Sequence, residues 1–220
     1  MKRTILAAGI AALAVAAPAL GKPPAPSSLT ISAAPSRITF GASSTVSGVL
    51  SGKHVSGVTV TLESRATTSS GAFVKGATTN TDSTGHYSFS VKPGLNTTSQ
   101  AMAKSSPTAT SSDVVVNVKV KITEHLSTTK PAGGHAVRFS GLVIPAYNGR
   151  FAQIQRKTAS GWKTVASAKL VAASPVGSVQ RSKYSKRVKV RKSGTYRVHF
   201  NPADGLRLAN NGRARKVTVH

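Results

Sequence analysis

The chain contains no cysteine. Disulfides are therefore excluded, and so is any thiolate metal site. Acids are nearly as scarce: five Asp and Glu stand against thirty Lys and Arg, a formal net charge of +25. Glycoside hydrolysis needs two facing carboxylates, yet Glu63, Asp82, Asp113, Glu124 and Asp204 are strewn singly along the chain. His54, His86, His125, His135, His199 and His220 show neither H-x-x-x-H nor H-E-x-x-H spacing, which argues against zinc. The G-x-S-x-G elbow of serine hydrolases and the phosphate-binding glycine loop are also missing. Aromatics are few, with one Trp. A stacking platform for single-stranded nucleic acid would have only Tyr147, Trp162 and Tyr184 to draw on, so any nucleic-acid binding is expected to be non-specific. The expectation is a protein that is not an enzyme and takes neither metal nor cofactor.

The N-terminus carries the one long apolar run. Met1-Lys2-Arg3 is basic, Ile5 to Leu20 is apolar, and Ala17-Pro18-Ala19 or Ala19-Leu20-Gly21 supplies small residues for cleavage. This pattern predicts a secretory signal peptide over residues 1–21. It is short for a bilayer-spanning helix. No later stretch is apolar enough to span, so the mature chain is expected to be extracellular without a transmembrane anchor. Lys22 to Ser28, KPPAPSS, reads as an extended Pro-rich spacer over residues 22–28.

The remainder is built of short alternating runs broken by Gly, Asn and Ser. Such spacing predicts an all-β protein of two tandem sandwiches, over residues 29–118 and 119–220. The run Val114 to Ile122 (VVVNVKVKI) is expected to close the first and open the second near Lys119 with no flexible linker. Asp82 and Gly85 suit a turn in TDSTGHYSFSV, after which Tyr87, Phe89 and Val91 share one parity. Ser140-Gly141-Leu142-Val143 echoes Ser47-Gly48-Val49-Leu50 across 93 positions. Asn148-Gly149 reads as a hairpin turn, and Phe151–Lys157 with Trp162–Ala166 as a strand pair. Asn96-Thr97-Thr98 matches a glycosylation sequon by chance.

The stretch QRSKYSKRVKVRKSGTYRVHF, Gln180 to Phe200, combines fold and charge. Tyr184, Val188 and Val190 lie on one parity; Lys183, Arg187, Lys189 and Arg191 lie on the other. Lys186 is the one cation on the apolar parity. Lys192-Ser193-Gly194 predicts a tight turn into a second strand carrying Tyr196, Val198 and Phe200 inward and Arg197 outward. Residues 121–220 hold twenty Lys and Arg against Glu124 and Asp204, a net of +18. A field of that sign attracts anions over about 10 Å at moderate salt. Lys183, Lys186, Arg187, Lys189, Arg191, Lys192 and Arg197 are the candidate polyanion-binding residues. Anionic envelope polymers, acidic glycans, nucleic acid or lipid surfaces are the candidate partners, with a protein partner an alternative. A solvated strand face that discourages aggregation is the competing reading.

The T-D-x-x-G-x-Y-x-F segment resembles that of bacterial Ig-like and carboxypeptidase-regulatory-like β-sandwich domains. Gly57-Val58-Thr59-Val60-Thr61-Leu62 fits the preceding G-V-x-V-x-L strand of the same family. The pairing x-Q-x-Q-R…G-W-K-T-V-A looks like the tandem Ig-like repeats of secreted actinobacterial proteins, and Gly194-Thr195-Tyr196-Arg197-Val198 resembles an Ig tyrosine corner. The resemblance implies a fold and is nearly silent on activity. It implies that Tyr196 ties back to backbone, and that Lys183–Arg191 and Arg197 lie on different sheets, leaving open whether they form one patch. A secreted binding or adhesion module is the leading expectation. A structural spacer of a surface assembly, or a hydrolase accessory protein, stands behind it.

Overall fold

The computed structural model describes residues 27–220, so the expected signal peptide and most of the spacer lie outside the described residues. Every regular element described is a strand, and no described helix could cross a membrane. The first ten strands are β1 (Ser28–Leu29), β2 (Ser32–Ala34), β3 (Arg37–Thr39), β4 (Ser44–Ser51), β5 (Thr59–Ala66), β6 (Val74–Asn80), β7 (His86–Val91), β8 (Thr97–Ala103), β9 (Ala109–Thr110) and β10 (Val114–Lys119). They form two sheets. In one, β4 pairs with β1, β2 and β7; in the other the order is β3-β10-β8-β5-β6, with β3 parallel to β10. The next ten are β11 (Lys121–Ile122), β12 (His125–Leu126), β13 (Ala136–Ile144), β14 (Phe151–Thr158), β15 (Gly161–Lys169), β16 (Val171–Val176), β17 (Val179–Lys189), β18 (Gly194–Phe200), β19 (Asn210–Asn211) and β20 (Arg215–Val217). Here the orders are β11/β12-β13-β17-β16 and β15-β14-β18-β19/β20. Read as Ig letters these are A-B-E-D and C′-C-F-G, so the fold is an all-β Ig-like sandwich plan.

Alternation explains which side chains go inside. Val137, Phe139 and Val143 of β13 face Tyr184 and Val188 of β17, and Ile154, Tyr196, Val198 and Phe200 close the layer from the other sheet. A separate cluster of Val46, Leu50, Val60, Leu62, Tyr87, Phe89, Val116 and Val118 fills the first sandwich. Burying each large side chain contributes about 2 kcal/mol.

Turn chemistry behaves as the sequence suggests at Asp82. Its Oδ1 accepts from the backbone N–H groups of Thr84 and His86 and from the Thr84 hydroxyl, and Gly85 takes φ +84°. Those bonds, led by the Thr84 hydroxyl, hold the carboxyl below its usual pKa. One other turn differs from expectation. Asn148-Gly149 makes no hairpin, because β13 and β14 lie in different sheets; the turn crosses between layers. Lys192-Ser193-Gly194 also carries the chain between layers, from the sheet of β17 to that of β18, as the Ig-like resemblance implies. Short turn residues announce a reversal, but the layer that receives the next strand is set by tertiary packing.

The same unit appears in both sandwiches. Thr30 exchanges two hydrogen bonds with Val49, and the Tyr87 hydroxyl donates to the Thr30 carbonyl at 2.5 Å. Thr123 exchanges the same two bonds with Leu142, and the Tyr184 hydroxyl donates to the Thr123 carbonyl at 2.8 Å. Each carbonyl lies against a glycine: a Cβ on Gly48 would stand 1.9 Å from the Thr30 oxygen, and one on Gly141 would stand 2.0 Å from that of Thr123. The glycine of the echoed Ser-Gly pair is therefore a steric necessity in each copy.

A loop of the second sandwich, residues 201–209, fastens onto the first. Leu208 donates to the Val118 carbonyl at 2.8 Å and accepts from Val120 at 3.1 Å. Asn96, only 5% exposed, donates its side-chain amide to the Gly205 carbonyl at 3.0 Å and accepts the Val118 N–H at 2.8 Å. Arg207 reaches the Gly94 carbonyl at 2.6 Å. The sequon is thus structural: its amide nitrogen is buried and engaged. Asn96→Ala strands the buried Val118 N–H and loses the bond to the Gly205 carbonyl, and is expected to cost about 2 kcal/mol. The check is proteolytic cleavage within residues 201–209, which should accelerate in the variant; an unchanged cleavage pattern would count against the junction's dependence on Asn96.

Candidate polyanion-binding face

β17 pairs with β13 over eight residues, and the register sets Arg187 directly opposite Arg138, Lys183 opposite Leu142 and Lys189 opposite Ala136. Inward positions hold Tyr184 and Val188; outward positions hold Lys183, Ser185, Arg187 and Lys189, all exposed. Along the strand those outward side chains repeat at roughly 6.7 Å. Across it, facing Cβ atoms stand about 5 Å apart, and like charges so placed destabilise a sheet. The sole ion pair among the described residues joins Arg65 to Asp113 in the first sandwich, at 3.9 Å. Arg138 and Arg187 have no acid to offset their repulsion.

A depression of about 440 Å³ lies over this point, lined by His125, Ser127, Arg138, Ser140 and Arg187. His125 enters from β12, opposite Ser140. The Ser127 hydroxyl is held by the Arg138 backbone N–H at 3.0 Å, which fixes the rim. Two guanidiniums, an imidazole and hydroxyls in one shallow basin can bind the oxygens of phosphate, sulfate or carboxylate, with guanidinium forks suited to bidentate contact.

The structure groups the predicted cations unevenly. Lys183, Arg187 and Lys189 share this face. Lys186 lies on the inward parity opposite Phe139, yet is exposed. The pairing of β16 with β17 extends only as far as Val171 opposite Lys183, so Lys186 leaves through the open sandwich edge. Arg191 and Lys192 sit in the crossing to β18. There Lys192 gives its carbonyl to the Tyr196 hydroxyl at 2.9 Å, the tyrosine-corner bond. Burial raises the Tyr196 pKa above its ordinary value. Arg197 belongs to the opposite sheet. It stacks 4.0 Å from the Trp162 ring centroid and donates to Gln155 at 2.9 Å, and partial burial lowers its pKa while leaving it cationic. Arg215 and Lys216 pair with that same β18 strand. The seven predicted cations therefore do not make one patch.

Sequence reasoning missed Arg138 and His125. Arg138 was legible, because Val137-Arg138-Phe139 alternates like the chosen stretch. His125 was not, since β12 spans two residues. A second depression, about 470 Å³, gathers Lys53, His54 and Lys104 with Ser27, Ser105 and Ser106 at the loop end of the first sandwich. No group of three potential metal ligands occurs among the described residues.

No family model matches the chain, and no curated protein matches it either. Among solved structures, one described as a marsupial T cell receptor aligns at 12% identity with a TM-score of 0.36, covering 87% of this chain and 97% of that one. At that score the likeness carries no argument. The Ig-like assignment rests on the strand orders above.

Proposed function

We propose that the protein is a non-enzymatic binding module that associates with polyanions through the outer face of its second sandwich. The carrying observation is the uncompensated pair Arg138 and Arg187, in register and flanked by Lys183, Lys189 and His125. Such a pair works against folding unless something anionic lies over it. An extended polymer laid along β17 meets a cation or hydroxyl at every second residue. The leader-like N-terminus and the likeness to tandem Ig-like repeats of secreted actinobacterial proteins support an exported protein kept at the cell surface by charge. Anionic envelope polymers or acidic glycans are the partners this reading favours.

The test is elution of the full chain from immobilised dextran sulfate, and from washed wall fragments, with rising salt. Each lost cation–anion contact lowers the log–log salt slope by about one. Arg138→Gln with Arg187→Gln is expected to lower it by about two and to bring elution forward. Elution at the wild-type salt concentration would overturn the assignment to this face.

The fastening of residues 201–209 to Asn96 and Val118 favours a second reading, a stiff spacer within a surface assembly. It gains if the double variant still reaches its native location.

A further inference from the structure

A soluble polyanion makes no use of one feature of the second sandwich. Among the described residues five large apolar side chains are exposed; Val171 and Val176 are on the edge strand β16, and Phe151, on β14 one strand in from the edge strand β15, meets Val171 at the crossing between the sheets. β16 is the outermost strand of its sheet and carries Val171, 44% exposed, and Val176, 61% exposed. Phe151, 58% exposed, opens β14 opposite Lys169. The chain changes sheets here, from β15 to β16, with buried Leu170 as the pivot. A depression of about 440 Å³ at this crossing is lined by Phe151 and Val171 together with Lys169, Lys183 and Lys186. The acids of the second half are committed elsewhere. The Glu124 carboxyl oxygens are shut off from water, and Asp204 accepts from Tyr147 at 2.9 Å and from the Leu206 N–H.

Edge strands are ordinarily protected by charge. Here lysines flank the edge, but the protruding groups are a phenylalanine and two valines. Cations beside projecting apolar groups match the boundary of a bilayer, where phosphates overlie acyl chains. We propose that this edge docks on an anionic lipid surface, with Phe151, Val171 and Val176 entering the headgroup layer and Lys169, Lys183 and Lys186 on the phosphates. The inference rests on the polyanion reading for the sign of the partner and adds its source. Lys183 belongs to both the edge and the outer face, so a chain docked at its edge keeps Arg138 and Arg187 beside the same charged layer.

The experiment is co-sedimentation of the full chain with phosphatidylcholine vesicles, with and without about one-third phosphatidylglycerol, run beside binding to soluble dextran sulfate. The expected result is binding to the anionic vesicles only. Phe151→Ser with Val176→Ser should weaken vesicle binding about tenfold by removing apolar burial, with dextran sulfate binding unchanged. Lys169→Gln and Lys186→Gln should each weaken it about fivefold. These positions are exposed, and circular dichroism verifies that the variants fold. Dextran sulfate binding without vesicle binding overturns the lipid inference and leaves the polyanion reading standing; loss of both overturns the two together. Vesicle binding indifferent to the Phe151 and Val176 substitutions also overturns it. So does a dimer lost on Val176→Ser in a chain that ignores vesicles, which would assign the edge to a second copy.

Discussion

Gly141→Ala is expected to destabilise the second sandwich by about 3–4 kcal/mol, a large value for the addition of one methyl group. The cause is steric. The new Cβ would stand 2.0 Å from the Thr123 carbonyl oxygen and 2.8 Å from the Tyr184 hydroxyl. Both atoms are fixed, since Tyr184 is 2% exposed and its hydroxyl is bonded to that carbonyl. Relief requires Thr123 to move outward. That breaks its two bonds to Leu142, at 3.0 and 2.9 Å, and strands a tyrosine hydroxyl in the core. Urea unfolding of wild type and variant measures the loss. Gly149→Ala is the control: a Cβ there meets nothing within 4 Å, and only the positive φ of +85° is strained, for about 1 kcal/mol. Equal losses at the two positions would show that the Thr123 contact is not what demands glycine. Gly48→Ala should repeat the large effect in the first sandwich, where the Thr30 oxygen is 1.9 Å away.

This unit also shows where the sequence was legible and where it was silent. The echo of Ser140-Gly141 and Ser47-Gly48 is visible at a glance, and so is the alternation of Tyr87 and Tyr184 with polar neighbours. That each tyrosine reaches the carbonyl of a threonine 57 or 61 residues earlier is not visible, because the link is tertiary. The Asp82 turn and the Tyr196 corner could be read in advance, since every partner lies within four residues. Asn96 could not, because its partner Gly205 stands 109 positions away.

The charged stretch divides in the same manner. Local alternation placed Lys183, Arg187 and Lys189 on one wet face, and pairing with β13 kept them there. Arg197 obeys its own strand's alternation equally well, but its strand lies in the other sheet. Charge in sequence is one-dimensional, while a patch depends on which strands are neighbours. Arg138, 49 positions from Arg187, faces it directly, and the adjacent Lys192 and Arg197 do not share that face. The repulsion that register creates between the two arginines is local and cannot be relieved by a slip, because moving β17 by one residue would turn Tyr184 and Val188 to solvent. Core burial thus fixes a register that the repulsion between Arg138 and Arg187 opposes.

Stability is expected to fall as pH rises from about 4.5 to about 7, and Glu124 is the cause. It lies between β11 and β12. Both carboxyl oxygens are shut off from water with no hydrogen-bond partner, although the residue as a whole is half-buried. Gly212 packs over it, close enough that a Cβ there would sit 2.9 Å from one oxygen. Burial raises its pKa from 4.5 to about 7, with the positive charge of Arg215 opposing in part. The native state therefore holds a proton that the unfolded chain releases, and stability tracks that difference. The contribution is fully present below pH 4.5 and is lost as pH climbs through 7. At 1.36 kcal/mol per pKa unit the ceiling is about 3 kcal/mol. Residual exposure of the side chain reduces this to about 1–2 kcal/mol through solvent screening. Glu124→Gln mimics the protonated acid and isolates the effect, since every other titrating group cancels in the comparison. Chemical unfolding at a series of pH values should give curves that meet near pH 4.5 and diverge by about 1–2 kcal/mol in the variant's favour above pH 7. Parallel curves across that interval would mean that the Glu124 carboxyl finds, in solution, a partner or a water that holds its charge.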